Sequence, residues 1–85
     1  MKEFKYTIKD ELGIHARPAG LLVKLVTPFQ SKITVDTGAK QADAKKIMAL
    51  MGAGAKKGTV VTCRAEGPDE EEASAALKKF FEENL

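Results

Sequence analysis

Phe4-Lys5-Tyr6-Thr7-Ile8-Lys9 alternates apolar and polar side chains at every step. A period of two belongs to a strand with one buried face and one wet face. The same alternation returns further along the chain. Ile33 and Val35 alternate with Thr34 and Asp36, and Val61, Cys63 and Ala65 alternate with Thr62 and Arg64. Strands of this kind build an antiparallel sheet that is covered on one side and open to water on the other. Thr37-Gly38 suits a tight turn into a short strand near Lys40 to Asp43.

Between these strands the apolar spacing changes to three and four. Ala19, Leu22, Val23 and Val26 make one stripe, which predicts an amphipathic helix from about Ala16 to Thr27. Pro18 falls in its first turn, where a missing N–H does no harm, and Pro28 shuts it off. A short second helix runs from Lys46 to about Gly52 and ends in Gly52-Ala53-Gly54. The last helix starts near Glu70. Asp69 is placed to cap it, with Glu72 completing a capping-box-like pair. Glu70, Glu71 and Glu72 lie where the helix dipole favours negative charge. Ala73, Ala76, Leu77, Phe80 and Phe81 supply its apolar side.

The order is β-α-β-β-α-β-α. All three helices must cover the one apolar face of a four-stranded antiparallel sheet, which makes an α+β, two-layer open-faced sandwich. With 85 residues, the chain is one domain, residues 1–85, with little room for a deep cleft.

Composition removes several function classes. An apolar share of 44% and a charged share of 31% are those of an ordinary globular domain. A formal net charge of +2, without a basic stripe, gives no reason to expect nucleic acid as a partner. No apolar run is long enough for direct membrane insertion. Met1-Lys2-Glu3 leads into the alternating segment, not into the apolar block of a secretory signal. Cys63 is the single cysteine, so no internal disulfide forms, and a cytoplasmic location is expected. Cys63 reads as a small buried hydrophobe. With one His and one Cys, no metal cluster is expected.

The chemistry is concentrated in Gly13-Ile14-His15-Ala16-Arg17-Pro18-Ala19, between the first strand and the first helix. His15 falls at or just before the helix N-terminus. The backbone N–H groups of Ala16 and Arg17 are free there and carry partial positive charge, a natural place for a phosphate group. The same field favours a neutral imidazole, whose free ring nitrogen is a nucleophile. Arg17 brings a guanidinium within reach of a phosphoryl oxygen. Gly13 permits a turn that lifts the histidine clear of the sheet. On local physics alone, a histidine near a helix start is more often structural or simply exposed.

These residues resemble the active-site signature of the HPr family of the phosphoenolpyruvate-dependent sugar phosphotransferase system. Ala44-Lys45-Lys46-Ile47-Met48-Ala49-Leu50-Met51 is similar to the family's second motif. Thr59-Val60-Val61-Thr62 and Ala65-Glu66-Gly67 are similar to its last strand and exit turn. The resemblance covers essentially the whole chain. It implies a phosphocarrier in the cytoplasm, not an enzyme in its own right. His15 would accept a phosphoryl group on Nδ1 from phosphorylated enzyme I and donate it to the IIA domains of sugar permeases, with Arg17 balancing the charge. No metal or organic cofactor is implied. A monomer is expected of a carrier that docks by turns.

Lys46 departs from the family. Many Gram-positive members carry a regulatory serine at that position, and a lysine there is not phosphorylatable. Gly52 and Ala53 also replace residues commonly serine or threonine and leucine. Leu50 can enter the core, but Ile47, Met48 and Met51 cannot all follow it. Together with Gly20 and Leu21 of the first helix they form a candidate partner interface, rimmed by Lys24 and Lys45. Arg64, Lys5 and Lys9 read as solvated charges on the open sheet face. Two rival readings are a regulatory paralogue outside sugar uptake, which the loss of the serine leaves open, and a binding module whose His15 is never phosphorylated.

Overall fold

The computed structural model describes residues 1–85. Its elements are β1 (Lys2–Thr7), α1 (Ala16–Val26), β2 (Lys32–Asp36), β3 (Gln41–Asp43), α2 (Ile47–Gly52), β4 (Val60–Glu66) and α3 (Glu70–Asn84). This is the order read from the periodicity. The four strands form one sheet in the order β1-β4-β2-β3, antiparallel throughout.

Register places the apolar residues in line. Tyr6 faces Val61, Phe4 faces Cys63, and Cys63 in turn faces Val35. Ile33, Val35, Val61, Cys63 and Ala65 are all buried on that face. Above them lie Ala19, Leu22 and Val26 of α1, Leu50 of α2, and Ala73, Leu77, Phe80 and Phe81 of α3. Phe81 clamps α3 to β1, its ring 6.1 Å from Phe4 and 5.6 Å from Tyr6. Such tilted aromatic pairs add about 0.5–1.5 kcal/mol beyond burial. Burial of Cys63 pushes its thiol far up, as expected for a core residue without free access to solvent.

Three details differ from the sequence reading. Ile8 is buried but lies outside β1, which ends at Thr7. Its N–H donates to the Thr59 carbonyl and its own carbonyl accepts from Gly58. Asp69 does stand at the start of α3, yet its side chain makes no cap bond. The carboxylate instead accepts the N–H groups of Gln30 and Ser31 and the Ser31 hydroxyl. Those bonds tie α3 to the segment before β2 and satisfy Ser31, which is fully buried. Glu70, not Glu72, reaches back, accepting the N–H of Gly67.

Arg64 is the third. It is not merely solvated. Its guanidinium bridges Glu3 at 2.8 Å and Asp36 at 3.1 Å, linking β1, β4 and β2 across the open face. The Gly38 N–H and then Arg64 hold the Asp36 carboxyl below the usual carboxylate range. No helix is long and apolar enough to cross a membrane.

Candidate functional site

The segment from Asp10 to His15 is a compact run of turns. The Gly13 N–H donates to the Asp10 carbonyl, and the His15 N–H donates to the Gly13 carbonyl, each at 3.1 Å. Gly13 has φ +63, which glycine alone adopts freely. It also lies against the loop after α2. A Cβ added to Gly13 would stand 2.0 Å from the Ala55 carbonyl oxygen and 2.8 Å from the Lys56 Cα. The Ile14 N–H bonds that same Ala55 oxygen at 3.1 Å. Residues 13 and 14 are therefore stapled to the loop at 55 and 56, and His15 leaves from a fixed platform.

His15 is the N-cap of α1, in extended conformation with φ −110 and ψ −171. Its carbonyl accepts the first helical bond, from Ala19 at 2.9 Å. Its side chain makes no cap bond, so the imidazole is not spent on the backbone. The N–H groups of Ala16 and Arg17 precede the first intrahelical bond and lack helical acceptors, while Pro18 has no N–H to leave unpaired. Placement at the helix start is thus as the sequence implied.

A cavity of about 250 Å³ opens beside the imidazole, lined by Asp10, His15, Arg17, Pro18, Leu21 and Asn84. One water takes about 30 Å³ of liquid, so the space holds several waters or a small anion. His15 and Arg17 therefore share one cavity. Asp10 and Asn84 were not among the residues singled out from the sequence. The far end of α3 reaches the site because the N–H groups of Lys9 and Asp10 both donate to the backbone oxygen of Leu85, at 2.6 and 2.9 Å. That contact joins the segment after β1 to the residue after α3, and no local pattern announces it.

The residues read as a partner interface lie on α1, on α2 and just before α2. Leu21, Ile47, Met48 and Met51 are all exposed, Met48 to 75%, while Leu50 turns inward. Gly20 faces α2, where a Cβ would meet Ile47 Cδ1 at 3.7 Å, an ordinary van der Waals contact. Lys24 is exposed. Lys45 is half-buried, and its ammonium donates to the Phe29 carbonyl. It ties the start of α2 to the segment after α1 more than it forms a free rim charge. Lys46 is the N-cap of α2 and makes no side-chain cap bond, leaving its ammonium in solvent. Leu12 is also exposed, to 69%, beside the histidine turn. The sequence reading passed over it because a single apolar residue in a turn carries no period.

Comparison with known proteins agrees with this geometry. Residues 2–83 match the family model described as PTS HPr component phosphorylation site. The chain is 46% identical to the phosphocarrier protein HPr of Lysinibacillus sphaericus over 83 residues, covering 98% of this chain and 94% of that protein. It is similar to the crystal structure of HPr from Thermoanaerobacter tengcongensis, with a TM-score of 0.90, 46% identity, and 96% and 92% of the two chains covered. It is also similar to a structure described as an HPr dimer from the same organism, with a TM-score of 0.76 and 46% identity over 98% and 95% of the chains. A histidine held free at a helix start, in the fold and sequence frame of these proteins, makes the chain a member of the HPr family of phosphocarrier proteins.

Proposed function

We propose that this protein carries a phosphoryl group on His15, taken from phosphorylated enzyme I and given to IIA domains of sugar permeases. One observation carries the reading. The unengaged imidazole at the start of α1 shares a cavity with Arg17. In the forward step the lone pair of Nδ1 forms the N–P bond. The donor's bond to phosphorus breaks, and its electron pair stays with the donor. The reverse displacement delivers the group to the acceptor. The N–H groups of Ala16 and Arg17 and the Arg17 guanidinium receive the phosphoryl oxygens, as charge-assisted donors do.

The face formed by Gly20, Leu21, Lys24, Ile47, Met48 and Met51 is the proposed docking surface. Flexible methionines suit a surface that must fit more than one partner. Because one face meets donor and acceptor in turn, the working form is proposed to be a cytoplasmic monomer. Lys46 at the second motif offers no hydroxyl for a regulatory kinase, so the carrier is read as uncoupled from that control. The test is a mass spectrum after incubation with enzyme I and phosphoenolpyruvate, beside a His15→Ala control. One acid-labile phosphoryl group, absent from the control, is the expected result. No added mass, with an enzyme I active on another carrier, overturns the reading.

A further inference from the structure

Asp10 stands in the wall of the cavity that must receive a phosphoryl group. The residue is firmly placed. Its N–H donates to Leu85 at 2.9 Å, its carbonyl accepts from Gly13 at 3.1 Å, and its Oδ1 accepts the Leu12 N–H at 2.9 Å. The second carboxylate oxygen makes no hydrogen bond within the protein, and no cation lies within ion-pair distance of either oxygen. The charged groups lining the cavity are Asp10 and Arg17; beside them stand the His15 ring, apolar Pro18 and Leu21, and Asn84, which gives its amide to the Phe80 carbonyl.

We propose that Asp10 is an electrostatic counterweight that keeps the phosphoryl group on His15 easy to transfer. The inference rests on the phosphocarrier reading above. A carrier must hold its cargo long enough to meet an acceptor and still release it. Arg17 attracts the phosphoryl oxygens, while a fixed anion in the same wall opposes them. The charge of Asp10 thereby raises the energy of phosphorylated His15 relative to bare His15. It also weakens the hold of the empty cavity on free anions. A purely local role has to be weighed against this, because Oδ1 closes a turn on Leu12. An asparagine closes the same turn with its amide oxygen. Asp10→Asn therefore removes the charge and keeps the turn.

The size of the effect follows from the cavity. A sphere of 250 Å³ is about 8 Å across. A single and a double negative charge at about that distance in water, screened over a Debye length of about 8 Å, change the phosphoryl equilibrium about twofold at physiological ionic strength. At about 0.01 M salt, where the Debye length is about 30 Å, the factor is about four.

The test mixes wild type and Asp10→Asn with a catalytic amount of enzyme I and limiting phosphoenolpyruvate, then weighs both carriers by mass spectrometry at equilibrium. The phosphoryl group should favour the variant about twofold near 0.15 M salt, about fourfold near 0.01 M, and approach parity near 0.5 M. Glu11→Gln makes the same charge change one residue away, outside the cavity lining, and should stay near parity near 0.15 M salt and shift clearly less than Asp10→Asn near 0.01 M. In a parallel arm, inorganic phosphate titrated into the unphosphorylated proteins by NMR should bind Asp10→Asn more tightly by the same factor. Parity for Asp10→Asn at low salt, or an equal shift in Glu11→Gln, overturns the role of Asp10 while leaving the carrier reading intact. A wild type that takes no phosphoryl group overturns both.

Discussion

Gly13→Ala should be among the most damaging single-methyl changes in this protein. The added Cβ meets the Ala55 oxygen at 2.0 Å, the Ala55 carbonyl carbon at 2.8 Å and the Lys56 Cα at 2.8 Å. All three are backbone atoms, so no side-chain rotation relieves the clash. The φ of +63 adds strain for any L residue, worth about 1–2 kcal/mol. If the two loops part, the bond from Ile14 to Ala55 is lost, about another 1 kcal/mol. Ile14, with only 5% exposure, loosens with it, costing about another 1 kcal/mol of apolar burial. The sum is about 3–4 kcal/mol, a large share of the ~5–15 kcal/mol that holds an ordinary domain together. Gly38→Ala is the matched control. Its φ is +87, but nothing lies within 4 Å of the added carbon. It carries the strain alone, partly offset by a stiffer unfolded chain, about 1 kcal/mol net. Urea unfolding followed by far-ultraviolet circular dichroism measures both. The gap between the two variants should be about 2 kcal/mol or more. Equal losses would refute the stapling of the histidine turn to the loop at 55 and 56.

Arg17→Ala should slow phosphoryl transfer from enzyme I by about tenfold to a hundredfold, the worth of one charge-assisted bond, while its melting temperature stays near wild type because Arg17 is exposed. The Asp69 carboxyl is held below the usual range, first by the Ser31 hydroxyl and then by the Gln30 N–H. Its stabilising effect is full above the unfolded value of about 4 and fades as pH falls through the lower folded value. Asp69→Asn should therefore flatten the acid limb of stability below about pH 4, read from urea midpoints across that range. Cys63, with its thiol pushed up by burial, should resist iodoacetamide in the native protein and label in urea. Fast native labelling, followed by mass, would contradict its place in the core.

The element order was legible because each strand shows one face to the core and one to water. Val61, Cys63 and Ala65 are buried, as their alternation requires. The stripe Ala19, Leu22, Val26 is buried too, although Val23 remains only partly covered. His15 was legible because its position relative to a helix start is a local matter. What stayed hidden depends on pairs far apart in the chain. Asp69 has the composition of a cap, but its carboxylate goes to Gln30 and Ser31, 38 or 39 residues earlier. Asp10 and Asn84 enter the site only because the backbone oxygen of Leu85 bonds the residues after β1. Arg64 found two carboxylates on neighbouring strands, which becomes visible only once the register is known.

Helix α2 spans six residues and buries one of them, Leu50. Isolated helices of that length do not persist in water, and a single buried side chain is a slender anchor. The histidine turn, by contrast, is bonded to Ala55 and rests on a φ that its neighbours fix. Amide hydrogen exchange should therefore separate the two, with α2 exchanging through local openings long before the Ile14 amide does. If partners dock on α2 as proposed, a surface carried on such a segment yields to the shape of whatever it meets, while His15 keeps the aim its bonded turn gives it. On the proposed function, accommodation and accuracy fall to different stretches of backbone, and substitutions along α2 should retune partner affinity without disturbing the geometry of transfer.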